Sequence, residues 1–104
     1  METSFDVVGV GCCTVDTLGI HEGPIQADQK AQVYQTSRQG GGLVATGLVT
    51  VARLGGTARF IGKVGDDDPS QFIVRDFESE GVDTTCIEIV PGASAIRTIG
   101  LINP

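Results

Sequence analysis

Residues 5–13, Phe5-Asp6-Val7-Val8-Gly9-Val10-Gly11-Cys12-Cys13, form a nearly unbroken apolar run of strand length. That is the pattern of a strand buried on both faces. Between Ile20 and Thr36 the character changes: Gly23-Pro24 is a turn signal, and Ala31–Thr36 alternates like a half-exposed strand. From Gly42 to Leu54 there is no charge until Arg53, which predicts a helix covered on nearly every side. Gly55-Gly56 stops it. Ala58–Val64 predicts a second buried strand, ending at Gly65-Asp66-Asp67. A second helix then opens with Asp68 as cap, Pro69 at the first helical position and Gln71 at capping-box spacing. Its apolar face carries Phe72, Ile73 and Phe77, Arg75, Glu78 and Ser79 face water, and Gly81 closes it. Thr85–Val90 and Ala95–Asn103 predict two more strands around the turn Pro91-Gly92. Strands alternating with helices in this order predict an α/β fold with a parallel sheet and a separate small sheet, as one small domain or a piece of a larger one.

Composition narrows the partners. With 104 residues, 40% of them hydrophobic, the chain can bury a modest core. A net charge of −6 argues against nucleic acid or an anionic membrane, since phosphate surfaces need a basic footprint. No apolar run approaches membrane-spanning length, and Met1-Glu2-Thr3-Ser4 lacks the basic start of a signal peptide, so a cytoplasmic protein is expected. Cys12, Cys13 and Cys86 have no zinc or CxxC spacing. They are expected to be reduced, small and buried, with Cys12 and Cys13 pointing to opposite faces of a strand. His21 has no second ligand candidate nearby and reads as an exposed loop histidine.

The segment richest in chemistry is Arg38-Gln39-Gly40-Gly41-Gly42-Leu43-Val44-Ala45-Thr46-Gly47. Three glycines leading into a helix let a ligand approach backbone N–H groups at the positive end of the helix dipole. The same residues also fit a plain hinge before a buried helix. Other motifs fall away. Gly9-Val10-Gly11 lacks the third glycine of a dinucleotide fingerprint, since Thr14 stands there, and Gly62-Lys63-Val64-Gly65 lacks Walker spacing. Asp66, Asp67 and Asp68 read as helix-capping carboxylates, so no metal site is expected. One histidine gives no basis for a Ser-His-Asp triad.

Four segments in order resemble the N-terminal portion of the ribokinase (PfkB-type) carbohydrate kinase family. They are Gly11-Cys12-Cys13-Thr14-Val15-Asp16; Gly40–Thr46 with Ala52-Arg53-Leu54-Gly55-Gly56; Phe60–Asp67; and Phe77–Thr84. The resemblance implies a ribokinase-like parallel sheet with flanking helices and a small β-sheet lid, the lid drawn from about 17–38 and 85–104. It implies an ATP-dependent phosphotransferase acting on a sugar hydroxyl, with ATP and Mg2+ as cofactors of the whole enzyme. Carried over by position, Asp16 would accept hydrogen bonds from sugar hydroxyls, and Gly41 and Gly42 would let backbone lie against the sugar. Thr46 would point back to the same pocket, and Thr14 would stand beside Asp16. Many relatives have asparagine where this chain has Thr14 and Thr46, which implies a differently read substrate. Arg97 falls near the expected lid, either meeting an acidic group of the substrate or solvated.

The family's anion hole and general base are expected in a C-terminal Gly-Ala-Gly-Asp segment, and nothing after Gly92 resembles one. The chain is therefore expected to hold neither catalytic residues nor a nucleotide site, and to be the sugar-binding and lid part of a kinase, inactive alone. The alternative is a non-catalytic sugar-binding or dimerisation module, since exposed lid edges can pair two copies into a homodimer.

Overall fold

Side-chain alternation on two parallel strands decides where the core lies. A computed structural model describes residues 4–104 and contains β1 (Val7–Val10), β2 (Thr14–His21), β3 (Val33–Gly41), α1 (Leu43–Arg53), β4 (Ala58–Val64), α2 (Asp68–Ser79), β5 (Ile87–Ile89) and β6 (Ile96–Ile102). One sheet has the order β1-β4-β5, with both pairings parallel. The other has the order β3-β2-β6, with β3 antiparallel and β6 parallel to β2. This is the α/β architecture with two sheets that the sequence predicts.

On β4 the buried residues are Ala58, Phe60 and Val64, every second or fourth position, so they share one face. Helix α1 adds Ala45 and Leu48 to that face, and α2 adds Ile73 and Phe77. Phe60 and Phe77 stack with ring centroids 4.8 Å apart. The other face differs from the expectation of two-sided burial. Val8 and Val10 alternate with Gly9, Val10 pairs with Ile61, and all three apolar side chains are exposed, Val10 by 71%. A parallel sheet normally has both faces covered, and among the described residues the two helices lie over one face only.

Helix α1 is likewise less covered than its lack of charge predicts. Its fully buried residues are Ala45 and Leu48, while Leu43 is 91% exposed and Leu54 beyond its end is 82% exposed. Low polarity here does not report enclosure within these residues.

Helix α2 forms as its sequence predicts, but its cap lies one residue earlier. Asp67, not Asp68, is the N-cap, accepting from the Ser70 backbone N–H at 3.0 Å. The Ser70 hydroxyl donates to the same Asp67 oxygen at 2.5 Å and accepts from the Gly65 N–H at 2.8 Å. Gly65, Asp67 and Ser70 are thereby locked into one turn. Asp66 instead accepts from the Gly92 N–H at 3.1 Å.

Two strand assignments need correcting. The first strand stops at Val10, and a separate strand begins at Thr14, in the other sheet. Of the two strands expected between residues 85 and 104 in the small sheet, only β6 joins it, because β5 pairs with β4. The small sheet is accordingly built from residues 14–21, 33–41 and 96–102.

Candidate functional site

The two sheets meet where β3 runs into α1. Gly40 and Gly41 are the last residues of β3 and not a free turn, and Gly42 is the N-cap of α1 with φ 103°. That φ favours glycine on its own. In addition, a β-carbon on Gly42 would stand 2.7 Å from the Cys12 carbonyl oxygen. The strands leaving and entering the parallel sheet thus cross at close contact.

Register sets the neighbours of Gly41. In the β2–β3 ladder Thr14 faces Gly41 and Asp16 faces Gln39, so Thr14, Asp16 and Gly41 lie on one face of the small sheet. The Thr14 hydroxyl donates to Asp16 Oδ1 at 2.8 Å. A β-carbon on Gly41 would stand 2.7 Å from Thr14 Oγ1 and would overlap Asp16 Oδ2. Both glycines are therefore required by close approach within the chain itself. Three of the five expected site residues, Thr14, Asp16 and Gly41, touch one another, and Gly42 adjoins them.

Thr46 is an exposed residue one turn into α1. It lines a cleft of about 370 Å³ between α1, α2 and the end of β3, together with Thr14 and Gly41, but Asp16 is not among the lining residues. The predicted site thus divides into a carboxylate on one side of the glycine strand and a helix-lined cleft next to it. The cleft has an apolar floor that includes Ala45 and Phe77, and charged walls from Arg38, Arg53, Asp76 and Glu80.

Sequence reading missed these four charged residues. Arg53 and Glu80 pair through two hydrogen bonds of 2.7 and 2.5 Å, and this hydrogen bonding, helped by the Arg53 charge, holds the Glu80 carboxyl below its ordinary range. Arg38 lies 4.5 Å from the centre of the Phe72 ring. Partial burial, then the charge of Glu80, push the Asp76 carboxyl above its usual value, with Arg53 opposing. The members of the Arg53–Glu80 pair are 27 positions apart, so no local spacing could have announced it.

Several single-residue expectations change as well. His21 is a buried strand residue, 3% exposed, and its Nδ1 has no hydrogen-bond partner. The polar letters around it look like a loop, yet it sits in the strand pairing at a bulge opposite Val33. Cys13 is buried as expected, and burial pushes its thiol up to about 11. Cys12 and Cys86 are exposed, contrary to expectation. Arg97 pairs with Val15, which puts it on the face of the small sheet away from Thr14 and Asp16, and it is exposed.

The aspartates after β4 do not assemble a metal site, being engaged in the turn at Asp67 and Asp66, and no group of three His, Cys, Asp or Glu side chains gathers among the described residues. At Gly41 and Gly42 the space beside the backbone is filled by contacts within the chain.

A parallel sheet backed by helices, joined at a glycine crossing to a small mixed sheet, defines the ribokinase-like class of α/β folds. The sequence profile of the pfkB family carbohydrate kinase matches residues 4–103, and the chain belongs to that family. It is 38% identical over 73 residues to an ATP-dependent ribose-1-phosphate kinase of Halopiger xanaduensis, a match covering 69% of this chain and 25% of the relative. It is 37% identical over 83 residues to a 5-dehydro-2-deoxygluconokinase of Clostridium perfringens, covering 78% of this chain and 23% of the relative. Among solved structures, aminoimidazole riboside kinase from Salmonella enterica, complexed with aminoimidazole riboside and an ATP analog, superposes with TM-score 0.70 at 31% identity. That superposition covers 89% of this chain and 28% of the other. The chain thus spans about a quarter of the length of the curated relatives it matches. Among the described residues, no helix is long and apolar enough to cross a membrane.

Proposed function

We propose that this chain binds the acceptor sugar of an ATP-dependent carbohydrate kinase and supplies the small sheet that covers it, within a whole protein acting in the cytoplasm. The observation that carries the reading is the Asp16 carboxylate, oriented by Thr14 against Gly41 at the junction of the two sheets. A carboxylate offers about four lone-pair positions, so one engaged by Thr14 leaves acceptors for substrate hydroxyls. Gly42 adjoins this junction, and Thr46, in the neighbouring cleft, would shape the substrate's other side. A covering sheet excludes water and strengthens electrostatics at the reacting group. In the whole protein, ATP with Mg2+ would supply the phosphoryl group through residues other than those described.

The test is a panel of sugars and sugar phosphates, read by thermal shift and by ATP consumption. Stabilisation by at least one sugar, lost in Asp16→Ala, with no ATP turnover by these 104 residues, is expected. Equal stabilisation of Asp16→Ala would remove Asp16 from the site, and turnover would overturn the division of labour.

A second reading, a dimerisation module built on the small sheet, is favoured by the exposure of Ile99 and Leu101 on its edge strand β6. Sedimentation equilibrium separates the two: a stable dimer of the isolated chain supports the module, a monomer excludes it.

A further inference from the structure

Two of the three aspartates after β4 reach the segment that connects β5 to the small sheet. Asp66 lies outside the cap of α2 and accepts the Gly92 N–H at 3.1 Å. Asp67 caps α2 through Ser70, whose hydroxyl is the main cause of its lowered carboxyl, against desolvation. The Ser94 side chain and the Ala95 N–H hydrogen-bond to the same carboxylate and add to that effect. Just before these, the Val90 N–H donates to the Val64 carbonyl at 2.8 Å, and a β-carbon on buried Gly65 would overlap the Ala93 carbonyl oxygen. The connecting segment is thus held at Val90 and from Gly92 to Ala95 by residues 64–67.

This grip ends where β6 begins. β6 is an edge strand whose neighbour is β2, with Ile96 opposite Thr14 and Thr98 opposite Asp16. Parallel strands cannot take their register from a tight turn, so the point at which the preceding segment is fixed decides where β6 starts. We propose that Asp66 and Asp67 are positioning residues for the candidate site: from the start of α2 they fix residues 92–95, which sets the entry of β6 and, through its pairing with β2, the placement of Thr14 and Asp16. The functional consequence rests on the sugar-binding reading of Asp16. Both aspartates act through the backbone of the connecting segment, and neither lines the cleft at Thr46. Helix α2, packed into the core through Ile73 and Phe77, is the rigid end of the relay.

Asp66→Ala separates this role from helix capping, because Asp67 keeps the cap. Asp66→Asn retains an oxygen that can accept the Gly92 N–H. By NMR on the chain without ligand, Asp66→Ala is expected to speed exchange of the Gly92 amide proton about tenfold, the size expected for losing a hydrogen bond to a charged group. The Ile96 and Thr98 amide resonances and the Asp16 carboxyl 13C resonance are expected to move in Asp66→Ala and to return in Asp66→Asn. Binding of D-ribose, D-fructose and ribose 1-phosphate is measured on the same samples. Whichever binds is expected to weaken about fivefold in Asp66→Ala, within the coupling carried by residues that touch no ligand, and to recover in Asp66→Asn. Ser94→Ala loosens the hold of Asp67 from the other side; it is expected to act in the same direction and decides the matter if Asp66→Ala does not fold. Unmoved β6 and Asp16 resonances overturn the inference whatever the sugars do, and so does undiminished binding. If the resonances move and none of the three probes binds the original chain, the positioning role is supported and the sugar-binding reading fails.

Discussion

The α-carbon of Gly42 lies against the Cys12 carbonyl, so that a side chain there would stand 2.7 Å from the oxygen and 3.1 Å from Cys13 Cα. The position also has φ 103°. Backbone contacts of this kind cannot yield as a flexible side chain would. Gly42→Ala is therefore expected to destabilise the chain by about 2–3 kcal/mol, combining backbone strain with displacement of the β1–β2 link. Gly47 provides the opposite case on the same helix, since nothing lies within 4 Å of a β-carbon there. Gly47→Ala is expected to stabilise by about 0.5–1 kcal/mol through helix propensity. Urea denaturation of both variants checks the pair, and equal signs would contradict the assignment.

The pH dependence of stability should contain two opposing contributions. The Ser70 hydroxyl, helped by the Ser70 N–H and opposed by desolvation, lowers the Asp67 carboxyl below its ordinary 3.8. A depressed folded value stabilises above the unfolded pKa and is lost as pH falls through the folded one. Asp76 is raised, chiefly by burial, so its charged form weakens the fold at neutral pH and the penalty is relieved as pH falls through the raised value. Asp67→Ala is expected to lower the urea midpoint at pH 7, and its difference from the original chain to shrink as pH falls below the ordinary 3.8 through the lowered folded value. Asp76→Asn is expected to raise the midpoint at pH 7, with the gain fading in acid. Midpoints measured from pH 7 to pH 3 distinguish the two, and a shared direction would refute the electrostatic account.

How much of this was readable beforehand depends on whether the deciding contact is local. Both helices and strand β4 follow from spacing alone, because Phe60 and Val64, or Ile73 and Phe77, share a face through the chain's own geometry. Asp67 was passed over for Asp68 because three consecutive aspartates offer the same chemistry, and only the Ser70 contacts select among them. The division of residues 5–21 into strands of different sheets was hidden, since the apolar letters run through Cys12 and Cys13 without punctuation. At the candidate site, Asp16, Thr14 and the glycines were legible, whereas the cleft walls at Arg38, Arg53, Asp76 and Glu80 arise from packing between distant segments.

Thiol reactivity should sort the cysteines by environment. Cys13 is 5% exposed and raised to about 11 by burial, then by Cys12. Cys12 and Cys86 are exposed. At pH 8 a thiol-reactive disulfide is expected to label two cysteines per folded chain quickly and the third only on unfolding. Prompt labelling of Cys13, located by peptide mapping, would contradict its burial.

His21 holds a buried Nδ1 without a partner in the small sheet. An unsatisfied buried polar atom costs about 1–3 kcal/mol, so removing it outweighs a modest loss of shape fit. His21→Leu is expected to raise stability by about 1 kcal/mol. A clear loss in urea denaturation would mean that the imidazole makes a contact worth more than the orphaned nitrogen costs.

Three links of the chain pass between the two sheets: residues 11–13 after β1, Gly42 after β3, and residues 90–95 after β5. A plate tied to its base by one strap can swing, but one tied by three can only tilt. The molecule extends 56 Å along its longest axis, so any tilt at the Cys12–Gly42 crossing would be magnified toward the far ends of β2 and β3. The glycine crossing stands where the fulcrum of such a tilt would lie, and the length of the small sheet would be its lever arm.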